Sequence, residues 1–263
     1  MQNNTLNKSF LIGPVVFVLC IAVLLVTWCV MEPAALHAAF DNDGRSPFEL
    51  ATLPFFAAII PLVWWKCPFT GSSRRRALLC AAVSIVACMA VVKELDLHLV
   101  VMHKLFPEVV NGDGSVYGLV KPNGEALTGT PFKMRFLTNG GAPIAAKALV
   151  LVYFGSFFGI FAALLAYFAL PLVKGFFSLH PVAWTMCCFG TSGVMVQIMD
   201  RLPAWYHHAK GLPREKVVDS CSALCTCLEE GGEMMIAIFA LVAIVQAHRY
   251  YTASRDARGC VSA

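Results

Sequence analysis

The stretch FLIGPVVFVLCIAVLLVTWCVM, residues 10–31, carries no charged side chain. An apolar run of about 20 residues matches the roughly 30 Å hydrocarbon thickness of a bilayer. It exceeds the 7–15 apolar residues, about half a span, expected of a cleaved signal sequence. Although LHAA at residues 36–39 imitates a cleavage site, the segment is read as retained. Further spans are expected at 50–65, 77–103, 144–173 and 182–199, with a sixth at 230–247. Pro54 and Pro61 predict a kink in the second, which neighbouring helices make tolerable. Pro143 suits the first turn of the fourth.

Composition gives the same solvent. Of 263 residues, 58% are apolar and 14% charged; the mean hydropathy is +0.69. A soluble domain carries about 25% charged residues. The expected fold is therefore all-α, a polytopic transmembrane bundle of one integral membrane domain, with lipid as its main partner.

Orientation follows from the bases. The loop KCPFTGSSRRR, residues 66–76, holds four of them, which the positive-inside rule assigns to the cytoplasm. Six spans then leave both termini inside. That side receives nine of the 20 Lys and Arg but one of the 16 acids. The acids thus collect on the outward half, and the net charge of +4 is no argument for nucleic acid.

The outward connection 104–141 contains NGDGS, VYGLV, KPNGEA and KMRFLTNGG. Asn123-Gly124 between short apolar runs signals a hairpin, so a small extramembrane β-element is expected. NGDG lacks the later ligands of a calcium loop and reads as a turn. In the second outward connection, Trp205 and Tyr206 suit an interface, while His207 and His208 point about 100° apart on a helix and cannot easily share one ion. Cys221, Cys225 and Cys227 lack a zinc spacing; unpaired packing is favoured over a disulfide or a metal.

The polar residues at the outward boundary carry the functional question. In VVKELDLHLVVMH, a continuous helix would put Glu94 and His98 on one face and Asp96 and His103 on the opposite one. Each acid would then orient an imidazole. LEEGGEM places Glu229 and Glu233 on a shared face, with Glu230 beside it, at the expected start of the last span. Acids there suit the helix dipole. Asp200 and Arg201 end the fifth span and Glu49 begins the second. These ends are expected to converge on one outward cluster, which cysteine cross-linking between positions near 96 and 230 would test. Gly155 and Gly159 form a small-x3-small pattern suited to close helix approach.

Structural pairing is the favoured meaning of these groups. Alternatives are a proton- or ion-linked passage and metal-assisted hydrolysis using His98 or His103. No HExxH, GxSxG or Walker-type stretch is present, and no metal or cofactor is expected.

KELDLH at 93–98, FKMRF at 132–136 with AAK at 145–147, and LEEGGEM at 228–234 resemble a family of uncharacterised bacterial polytopic membrane proteins. That family carries R-E-L-D-x-H, K-x-R-F and L-E-E-x-x-E motifs. Lys93 stands at its arginine position, keeping charge but losing bidentate pairing. The resemblance implies a bacterial inner-membrane protein in which Lys133 and Arg135 join Glu94, Asp96, His98, Glu229, Glu230 and Glu233 in one constellation, the loop forming a lid. It brings no activity. The expected role is that of a structural or accessory component, with a membrane-protein partner or a second copy as its protein contacts.

Overall fold

The computed structural model describes residues 9–40, 46–111, 115–116, 118–119, 131–132, 134–209 and 220–259. Among these, nine α-helices follow a 3-10 turn at Ser9–Leu11. They are α1 Ile12–Val30, α2 Pro33–Phe40, α3 Pro47–Lys66, α4 Ser73–Glu94, α5 Leu97–Leu105, α6 Met134–Thr138, α7 Ile144–Phe177, α8 Pro181–Ala209 and α9 Ser220–Gly259.

Among the described residues, five segments are long and apolar enough to cross a membrane: α1, α3, α4, α7 and residues Pro181–Tyr206 of α8. Only 6% of the apolar window of α7 is buried in the chain. Leu151, Val152, Phe158 and Leu165 on that helix are exposed. An apolar surface this continuous is characteristic of contact with lipid or protein rather than water. At about 1.5 Å per residue α7 is roughly 51 Å long, well beyond the thickness of a bilayer core. The sixth expected span falls inside α9 and is not among the five.

The chain divides into two compact units, one of residues 1–88 with 166–263 and the other of residues 89–165. In the first, α9 is the central helix and packs against α8, α3, α1 and α2. Its buried Met235 and Phe239 meet Leu24, Leu36 and Phe40 in one core. Close approach is achieved with glycine. A Cβ on Gly13 would fall 2.9 Å from Thr185 Cα, so α1 and α8 nearly touch there. On α9, a Cβ on Gly231 would collide with Leu24, and one on Gly232 would lie 2.6 Å from Val196 Cγ2.

Local sequence fixes the helix ends. Ser46 and Glu49 form a capping box at the start of α3: Glu49 N donates to Ser46 Oγ at 3.0 Å, and Ser46 N donates to Glu49 Oε2 at 2.8 Å. Pro47 then occupies the first turn, where its missing N–H costs nothing. The helix runs through Pro54 and Pro61 to Lys66. Between α7 and α8, Leu179 takes a left-handed φ of 55° while His180 N donates to Gly175 O at 2.8 Å.

The second unit is built on Met102, Val110, Phe136, Ala146 and Val150, all fully buried. Among the described residues there is no strand, only an isolated antiparallel bridge between Val110 and Val116. Asn111 N donates to Ser115 O at 2.8 Å; residues 112–114 of NGDGS lie outside the described residues. Asn123-Gly124 lies outside the described residues.

Candidate functional site

The expected span 77–103 is not one helix. α4 stops at Glu94, and Asp96 adopts φ 51° and ψ 20° before α5 begins at Leu97. Left-handed backbone is rare for residues with a Cβ, and aspartate is one of the few that tolerate it. The break changes the direction of the chain, so the i, i+4 relation of Glu94 to His98 is lost. So is the i, i+7 relation of Asp96 to His103.

Both histidines are consequently bound elsewhere. His98 Nδ1 lies 3.4 Å from Val92 O, a long hydrogen bond in which the ring donates to the carbonyl. The His98 ring stacks on Tyr153 at 5.7 Å between centroids and meets Phe132 nearly edge-on at 4.6 Å. Burial among these rings lowers the His98 pKa from its ordinary 6.5; the Val92 carbonyl and the Asp96 charge oppose this, and Lys93 adds to it. His103 Nδ1 donates to Val110 O at 2.7 Å, tying α5 to the turn that follows it. Among the described residues, neither imidazole pairs with a carboxylate by hydrogen bond. Glu94 is buried, and its Oε1 lies 3.2 Å from Nζ of the half-exposed Lys93.

Lys133 lies outside the described residues, and Arg135 falls in α6 with its side chain undescribed. The lid expectation for this pair therefore stays with the sequence.

In the first unit, Asp200 is exposed on α8, which continues past it through Pro203 to Ala209. It does not end the helix. Glu49 takes part in the capping box of α3. Glu229, Glu230 and Glu233 are half-buried on α9. That helix begins at Ser220, so these acids sit in its interior, two turns and more from its N-terminus. The helix dipole falls off within the first turn and does not account for them. The carboxylate oxygens of Glu230 and Glu233 come within 4.8 Å of each other. The paired glycines between them are the residues that bring α9 against Leu24 and Val196. The result is a small glutamate-only group on a closely packed helix.

The other sequence candidates resolve simply. Cys225 and Cys227 are buried on α9, Cys221 is half-buried, and Cys227 Sγ donates to Leu24 O at 3.6 Å. A methyl group added at Gly155 or Gly159 would meet nothing within 4 Å, so the small-x3-small pattern brings no described helix of this chain close. Phe132 and Tyr153, the ring partners of His98, escaped the sequence reading. Their signal was that each opens a segment already singled out, Phe132 in FKMRF and Tyr153 in YFGSFFG.

No family model, curated protein or solved structure matches the chain.

Proposed function

We propose that this chain is a multi-pass membrane protein acting as a structural or accessory component, its boundary side chains holding helix ends and connecting segments in place. One observation carries the reading. His98 and His103 each donate Nδ1–H to a main-chain carbonyl, which ties their side chains to neighbouring backbone. The buried Glu94 beside Lys93 and the capping box of Glu49 fit the same role. The motif resemblance to bacterial polytopic membrane proteins agrees with it. Under this proposal the triple-arginine turn and both termini lie in the cytoplasm of a bacterial inner membrane, six helices cross it, and the protein contacts are a membrane-protein partner or a second copy.

The test compares stability with transport in the full chain. Glu94→Gln and His103→Ala should each lower the melting temperature in detergent, while the parent protein in proteoliposomes carries no pH-linked flux. A flux that vanishes in Glu233→Gln with assembly intact would overturn the proposal.

That outcome would install the second reading, a proton- or ion-linked transporter or channel component. The half-buried Glu230 and Glu233 favour it, since close carboxylates in a packed helix hold a proton or a cation between them. Metal-dependent hydrolysis, the third reading, would use Nε2 of His98 or His103, the nitrogen that the bonds to Val92 and Val110 do not occupy. A stoichiometric metal in active protein would support it.

A further inference from the structure

Cys67 closes α3 and Cys80 lies in the second turn of α4, with their sulfurs 4.0 Å apart. We propose that Cys67 and Cys80 form a redox-convertible dithiol that a small anionic disulfide oxidises to an intrachain bond. The pair belongs wholly to the first unit.

The surroundings hold the two sulfurs together. Val63 O accepts from Cys67 N at 2.9 Å and from Cys80 Sγ at 3.5 Å, so one carbonyl at the end of α3 fixes both residues. Trp64 Nε1 donates to Ser84 Oγ at 3.0 Å, fastening α3 to α4 one turn further along. On the other side of the turn, Phe69 stacks on Phe168 and Arg75 lies over the Tyr167 ring. A disulfide has an S–S length of about 2.05 Å, so closure needs a sulfur movement of roughly 2 Å, within reach of side-chain rotation.

Exposure divides the roles. Cys67 is half-buried and reachable, whereas Cys80 is 1% exposed. Exposed Arg74, Arg75 and Arg76 open α4 beside them and attract an anionic reagent. The thiolate of Cys67 attacks one sulfur of the reagent RS–SR, whose S–S bond breaks and releases RS⁻. Cys80 then gives its thiol proton to the released RS⁻ and attacks Cys67 Sγ, expelling the second RS⁻. Two protein thiols are oxidised by two electrons, and the reagent leaves as two RSH after taking up two protons.

The experiment treats the full chain in detergent with glutathione disulfide, alkylates the remaining thiols and maps all eleven cysteines by peptide mass spectrometry. The expected result is loss of alkylation at Cys67 and Cys80 together, with a peptide linking them, while the other cysteines still alkylate. Cys80→Ala should stop at a mixed disulfide on Cys67, and Cys67→Ala should leave Cys80 a thiol. Continued alkylation of both residues, or a mixed disulfide on wild-type Cys67 that never resolves, would overturn the proposal. The wild-type map decides the matter even where a variant fails to fold.

Discussion

His103 Nδ1 lies 2.7 Å from the carbonyl oxygen of Val110, seven residues further along the chain. A carbonyl only accepts, so this nitrogen carries the proton. Removing the ring orphans a carbonyl on a fully buried residue. His103→Ala should therefore cost about 1 kcal/mol of local stability. Hydrogen exchange at the amides of residues 109–111 should accelerate, and unchanged exchange would show that the bond does not hold the turn.

A pH dependence follows from His98. Burial holds its folded pKa below 6.5, so between that lowered value and 6.5 the unfolded chain binds more protons than the folded one. The contribution is whole above about 6.5 and drains away as pH falls toward the folded value. The facing groups are Asp96, Lys93 and Tyr153. Melting curves of wild type should shift downward between about pH 7 and about pH 5, and those of His98→Phe should shift less. Equal shifts would remove His98 as the source.

The capping box makes a cleaner prediction. Ser46 is fully buried and exchanges two hydrogen bonds with Glu49. Ser46→Ala should destabilise the protein by about 1 kcal/mol, read as a lower thermal midpoint in detergent. Glu49→Gln should lower the midpoint less, because a glutamine carbonyl still accepts from Ser46 N.

Two glycine sites should respond in opposite senses. Gly231→Ala forces Leu24 aside and should cost about 1–3 kcal/mol, lowering the thermal midpoint. Gly155→Ala meets nothing within 4 Å and should be neutral or stabilising by up to about 1 kcal/mol. A strong loss at Gly155 would reveal a partner covering that face.

The apolar spans were legible because charge-free windows of bilayer length have few other uses. The start of α3 was legible too, in the spacing of Ser46, Pro47 and Glu49, although the acid alone drew attention as a candidate site. What periodicity could not reveal was a change of direction made by one residue. Glu94 to His98 reads as a helical pair unless Asp96 is known to be left-handed. The glutamates of α9 were misplaced for a different reason. SCSALCTCL, mixed in polarity, reads as a connection, yet it forms the first turns of that helix and buries Ala223 and Cys227. Close packing against Leu24 and Val196 was invisible because it depends on which helices meet at Gly231 and Gly232.

The left-handed geometry at Asp96 makes the heading of a whole amphipathic segment editable at a single codon. A residue content with ordinary helical angles there would invite α4 and α5 to fuse into one straight rod, swinging His98 away from its aromatic neighbours. Glycine would keep the corner and relieve its strain. Steering and spanning are thereby separate traits in this chain, open to independent change.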